Sequence, residues 1–285
     1  LMFETLKNVF RVKEMRRKLL YLIWMIFIIR IGCQIPVPGV DSDFFKQWFS
    51  SNAGDAFNFF DAFTGGSFER MSIFALNITP YITSSIIIQL LTIAIPALEE
   101  MQRDGEEGRK KMTAITRYVT VGLALFESIA MAIGFGRQGM IPNLDFFKGV
   151  VVVACLTAGS AMLMWLGERI TEKGVGNGIS IVLTINIISR VPSDLTLLYE
   201  NFIKGKTIAK GTLAGLIIAA VILLVVVLVL ILNGAERRIP VQYSKKMVGR
   251  KLMGGQSTNI PLKVNTAGVI PVIFASSIMS FPAVI

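Results

Sequence analysis

Phe57-Asn58-Phe59-Phe60-Asp61-Ala62-Phe63-Thr64-Gly65-Gly66 opens a stretch, residues 57–91, whose two parts have opposite characters. The first is aromatic and stops after about two helical turns, whereas a helix crossing a bilayer needs about 20 residues. The second, residues 73–91, is long enough to cross but carries Asn77, Thr79, Pro80, Thr83, Ser84, Ser85 and Gln89. Lipid cannot satisfy such groups, so they belong where helices face one another or a wet cavity. The stretch predicts a short re-entrant plug followed by a cavity-lining span.

Of the 285 residues 53% are apolar and 19 are Phe, outside the range of soluble globular domains. The composition predicts an all-α, polytopic membrane helix bundle. Histidine is absent, which removes the commonest general base and metal ligand. Cys33 and Cys155 form no metal or redox spacing and read as packing residues. With no Ser/His/Asp set, no metal-ligand pattern and no Gly-x-x-x-x-Gly-Lys phosphate loop, the sequence reads as a non-enzyme that needs no metal or cofactor. Gly174-Val175-Gly176-Asn177-Gly178 follows no strand and reads as a tight turn between spans. The first apolar run has no small-residue cleavage site, so it reads as a retained span rather than a signal peptide.

Seven spans are expected, at about 19–37, 73–91, 115–135, 149–166, 179–188, 213–232 and 266–285. The fifth looks short. The sixth is uncharged throughout and about 30 Å long as a helix. Lys7, Arg11, Lys13, Arg16, Arg17 and Lys18 precede the first span, and the loops on their side carry roughly twice the Lys and Arg of the other, which puts the N-terminus in the cytoplasm. Pro80, Ile82, Ser85 and Ile87 of the second span recur at the same offsets as Pro271, Ile273, Ser276 and Ile278 of the seventh. The echo suggests inverted-repeat halves of five helices: a first half, residues 1–190, holding the plug at about 56–70, and a partial second half, residues 191–285.

Ile78 and Ile82 lie four apart on one helical face. Core packing explains that spacing, and so does a hydrophobic constriction that excludes ions by dewetting. Glu127 sits mid-span, where a carboxylate costs about 2.5–3.5 kcal/mol, so it is expected to face the bundle and hydrogen-bond to the second or seventh span. A coupling-ion site, as in a secondary transporter, is the rival reading. The loop at 233–263 carries Arg237, Arg238, Lys245, Lys246, Arg250 and Lys251. These suit a solvated positive-inside loop and equally a surface that docks an acidic protein face or RNA phosphates.

Ile35-Pro36-Val37-Pro38-Gly39, Phe63-Thr64-Gly65-Gly66-Ser67 with residues 72–82, Trp165-Leu166-Gly167-Glu168-Arg169 with Gly176-Asn177-Gly178-Ile179-Ser180, and residues 256–265 together resemble the bacterial SecY family, in order along the whole chain. The resemblance implies the central subunit of the Sec translocon, a channel that conducts unfolded secretory polypeptides across the bacterial cytoplasmic membrane and releases signal peptides and other apolar segments into its lipids. It implies SecE and SecG as partner subunits and either the SecA motor or a ribosome as the driver. By the same resemblance Ile78, Ile82, Leu183 and Ile273 match the pore ring, with Leu183 where isoleucine is common. Phe57, Phe60, Phe63, Gly65, Gly66 and Ser67 match the plug. Thr83, Gln89, Glu127 and Asn265 match the lateral gate, and the six basic loop residues match the motor or ribosome dock. The family has ten spans and this sequence ends within the seventh, so a fragment that forms no sealed channel alone is expected.

Overall fold

Two prolines end the first helix early. In the computed structural model, which describes residues 12–42, 44–47, 61–137, 139, 141, 145–204, 208–241, 246–248, 251–253, 258–266, 268, 271–272 and 275, α1 runs Lys13–Gly32. Pro36 and Pro38 lack an N–H and push the residues before them toward extended backbone. Residues 35–37 instead pair antiparallel with residues 71–73: the Val37 N–H donates to the Met71 carbonyl and the Ile73 N–H to the Ile35 carbonyl, each at 3.0 Å. The expected span to residue 37 is thus shorter as a helix.

The second span also starts later than expected. Residues 65–78 form successive turns, and α2, Thr79–Ala94, begins with Pro80 in its first turn, where a missing N–H costs nothing. Pro96 then starts α3, Pro96–Arg103, at a bend of 104°. The charged residues that read as a loop are helical: α4, Gly105–Arg137, carries them in its first turns before entering its apolar part. The helix α5, Phe146–Lys173, is capped by the Asp145 carboxylate, which accepts from the Phe146 N–H at 2.9 Å. The fifth span is longer than the sequence suggested, because α6, Gly178–Phe202, runs on through Pro192. Next comes α7, Ile208–Gly234, exposed from residue 219 onward, as befits a helix with no polar face to hide.

Among the described residues four helices, α4 to α7, are long and apolar enough to cross a membrane; α2 and α3 add a fifth if the bent pair is one span. The expected seventh span falls almost entirely outside the described residues. The chain divides into two compact units, Leu1–Pro192 with Phe274–Ile285, and Ser193–Ile273.

In the first unit α4 packs on α5 and α2, and α1 on α5. Gly159 lets α5 approach the backbone of the turn segment: a Cβ there would strike the Ile73 carbonyl. One core cluster is built on Phe45, Phe68 and Phe135, whose rings meet edge to face at centroid distances of 5.0–6.1 Å. In the second unit the basic loop is not featureless. β1, Glu236–Val241, pairs antiparallel with β4, Thr258–Lys263; β2, Lys246–Val248, pairs with β3, Lys251–Met253.

Candidate functional site

A second core cluster gathers residues from four helices around the start of α2. Ile78, the residue before α2, is fully buried. Ile82 lies one turn further along α2 and Leu183 lies on α6; both are half-buried and pack against the same cluster, with Ile29 of α1 and Leu163, Leu166 and Ile170 of α5. The structure therefore brings Ile78, Ile82 and Leu183 together in one apolar body. Ile273 lies outside the described residues.

Polar groups sit directly against that body. Asn77 adopts a left-handed backbone, φ 53°, which asparagine tolerates better than most residues. Its side chain donates to the Phe63 carbonyl at 2.8 Å and accepts from the Asn186 amide of α6 at 2.9 Å. Asn186 in turn accepts from the Arg30 guanidinium of α1 at 3.3 Å. Ser160 of α5 donates to the Asn77 carbonyl at 3.3 Å. Three helices and the turn segment are so joined by a largely buried chain of hydrogen bonds. Asn186, Arg30 and Ser160 were not singled out from the sequence. The signal was present: Asn186 and Arg190 are four apart inside an apolar run, the pattern of a buried polar helix face.

Residues 61–69, a helical turn at 61–64 followed by successive turns, are stitched together from within. The Asp61 carboxylate accepts from the Glu69 N–H at 2.9 Å and from the Thr64 hydroxyl at 3.2 Å, and Thr64 accepts from the Phe68 N–H at 3.3 Å. Asp61 is fully buried and its other oxygen pairs with Arg190 of α6. Gly65, φ 67°, has no room for a side chain: a Cβ would lie 2.6 Å from the Asn186 carbonyl oxygen and 2.9 Å from the Ser189 hydroxyl. Gly66, φ 79°, faces open space. Of the expected plug residues, Ser67 is buried and Phe63, Gly65 and Gly66 half-buried, while Phe57 and Phe60 lie outside the described residues.

The gate residues are scattered. Thr83 has a buried hydroxyl with no hydrogen-bond partner among the described residues, and Gln89 is exposed at a cavity of about 500 Å³ lined also by Thr92, Glu99 and Met112. Glu127 is half-buried and makes no hydrogen bond or ion pair among the described residues, so the expected bond to the second span is not formed. The bond between those helices runs instead from the Ser84 hydroxyl to the Thr116 carbonyl, at 2.9 Å. In the other unit Asn265 donates to Asn233 at 3.4 Å and accepts from the Gly268 N–H.

Arg237 and Arg238 stand exposed on β1, opposite Leu262 and Pro261 of β4, and as neighbours in a strand they point to opposite faces. Lys246 and Lys251 lie on β2 and β3, opposite Met253 and Val248; Lys245 and Arg250 lie outside the described residues. No cluster of Cys, Asp or Glu able to hold a metal ion occurs among the described residues.

The sequence profile of SecY matches residues 72–285. The chain belongs to the SecY family. It is 44% identical over 289 residues to the protein translocase subunit SecY of Halalkalibacterium halodurans, covering 99% of this chain and 66% of that one. To the SecY of Escherichia coli it is 43% identical over 276 residues, covering 95% and 62%. The chain thus spans slightly under two thirds of these SecY relatives. Its fold is similar to a solved structure described as a protein-conducting channel, with TM-score 0.62 and 19% identity, covering 94% of this chain and 57% of that one. A second, with TM-score 0.60, 20% identity and the same coverage, is a SecY protein whose plug domain is described as stabilising the closed state and maintaining the membrane seal. These likenesses identify a multi-pass helical membrane fold.

Proposed function

We propose that this chain forms part of a protein-conducting channel, in which Ile78, Ile82 and Leu183 contribute to an apolar constriction and residues 61–67 are part of its plug. The observation that carries the reading is the convergence of those three residues, from two helices, in one apolar cluster beside the self-stitched loop. An apolar constriction offers no donor or acceptor to match, so it yields to many passing sequences and still excludes ions when empty. An apolar signal segment would favour the open state by burying its surface in the gate. The family's named relatives, protein translocase subunits, support the same reading.

By its resemblance to the SecY family the proposal also includes SecE and SecG as partner subunits, SecA or a ribosome docking on the sheets at 236–263, the bacterial cytoplasmic membrane as location, and a gate that includes Thr83, Gln89, Glu127 and Asn265; the excess of Lys and Arg on the side of the N-terminus supports placing that terminus in the cytoplasm. The recurrence of Pro80, Ile82, Ser85 and Ile87 at the same offsets as Pro271, Ile273, Ser276 and Ile278 supports halves that divide at residue 190. A solute transporter finds less support. The polar chain through Asn77, Asn186 and Arg30 is satisfied internally, and Glu127 has no partner among the described residues to form a site with.

Crosslinking tests the reading. A secretory chain stalled in the full-length protein should crosslink to Ile82→Cys and Leu183→Cys and not to Val221→Cys on the exposed face of α7. Equal labelling at all three positions would sink it.

A further inference from the structure

A buried charge pair joins the 61–67 loop to the helix beside it. We propose that Asp61 and Arg190 form a latch that holds this segment against α6, and that breaking the pair is the step that frees it. The inference rests on the reading of residues 61–67 as a plug.

Asp61 is fully buried, and Arg190 keeps a fifth of its side-chain surface exposed. Arg190 lies seven residues beyond Leu183 on α6, about 10 Å along the helix at 1.5 Å per residue. The pair therefore grips the segment two turns away from the apolar cluster. Around the same place the segment makes two other contacts with its seat, the Phe63 carbonyl on Asn77 and the close approach of Gly65 to the Asn186 carbonyl. The inner bonds of Asp61 to Glu69 and Thr64 keep the loop's shape, so the segment can leave as one piece.

A buried ion pair is a poor way to gain static stability, since two apolar side chains of similar size often do as well; its distinctive property is conditional strength. With both charges present and together, each satisfies the other. With Arg190 neutralised, the fully buried Asp61 carboxylate keeps only the Glu69 N–H and the Thr64 hydroxyl, and the least costly remedy is to let the segment leave its seat and rehydrate the carboxylate; with Asp61 neutralised, the charge attraction that holds the segment to α6 is gone. An apolar plug seat would lack this all-or-none dependence on two partners. The latch thus identifies Asp61 and Arg190 as positioning residues for channel closure, separate from the apolar constriction that forms the seal.

The test uses the full-length protein in its membrane complex. Asp61→Asn, Arg190→Gln and the double substitution are compared with the unaltered protein and with deletion of residues 61–67. Two quantities are read: resting ion conductance per channel, and the rate of disulfide formation between native Cys33 and Ser67→Cys, whose position adjoins the Cys33 thiol. Each single substitution is expected to raise conductance and slow the disulfide at least tenfold. The double should fall between the singles and the unaltered protein, because Asn and Gln can hydrogen-bond as a neutral pair. Unchanged conductance and disulfide rate, where the deletion leaks, would overturn the latch, and so would single effects that multiply in the double. A deletion that does not leak overturns the plug reading instead, and the disulfide rate still decides whether the pair holds the segment. Should the singles not accumulate, the double alone is expected to conduct several-fold more than the unaltered protein; equal conductance overturns the latch.

Discussion

Gly65 and Gly66 are adjacent, both left-handed, and differ in one respect: the space where a side chain would go. Gly65→Ala and Gly66→Ala therefore share the backbone penalty of a left-handed residue, about 1–2 kcal/mol each. Only at Gly65 does the new methyl meet backbone, 2.6 Å from the Asn186 carbonyl oxygen, with the Ser189 hydroxyl 2.9 Å away. Inserting a methylene into a packed site costs about 1–3 kcal/mol more. That increment corresponds to roughly 5–150-fold in an equilibrium. Because the contact exists only while the loop is seated on α6, the penalty falls on the seated state alone. Resting conductance of single channels in planar bilayers should be at least fivefold greater for Gly65→Ala than for Gly66→Ala, whose backbone penalty falls on the seated and the released loop alike. If the two alanine variants leak equally, the close approach to α6 does not control seating and the reasoning is wrong.

Other outcomes follow from the same geometry. Gly159→Ala should lower the thermal stability of the solubilised complex by several degrees because its methyl strikes the Ile73 carbonyl, whereas Gly149→Ala, with open space around it, should leave the melting temperature unchanged or slightly raised. Asn186→Ala removes the acceptor of Arg30 and the donor to Asn77, leaving buried polar groups unpaired; a loss of about 1–3 kcal/mol is expected in denaturant titration, and a loss below 0.3 would show that water replaces the amide. The ion pair Arg117–Glu168, 2.8 Å but half exposed on the arginine, should contribute no more than about 1 kcal/mol, so Arg117→Gln is expected to shift stability little and less still in high salt. If the sheets at 236–263 dock a SecA motor or a ribosome as proposed, reversing Arg237 and Arg238 to Glu should weaken that binding in a salt-dependent manner, read by co-sedimentation; salt-independent binding would exclude electrostatic docking through β1.

Local chemistry made much of this protein legible in its sequence. The uncharged run at 213–232 predicts a helix long enough to cross a membrane, and α7 is long and apolar enough to do so. Gly65-Gly66 demanded a break in the aromatic run, and both residues turn out left-handed. Pro36 and Pro96 mark where helices stop or turn, as their missing N–H groups require. Boundaries differ where packing adds what local signal lacks: the fifth span was expected to end at residue 188, yet α6 continues past Arg190, which finds a buried carboxylate, and through Pro192. The strands at 236–263 were missed because their short segments show no clean alternation, and their pairing, Arg238 opposite Pro261, joins residues far apart in the chain.

What the sequence determined by itself is the class of molecule: an apolar helical chain of the SecY family, with a broken first hairpin and a basic loop. Only the tertiary structure decided which polar residues meet. Asn77 and Asn186 are separated by 109 positions, and helical spacing states which face each occupies but not which distant face lies opposite. That choice is made by close packing, where Gly65 and Gly159 admit backbone that any side chain would exclude, and it is the packing that sets a buried carboxylate against the arginine of another helix.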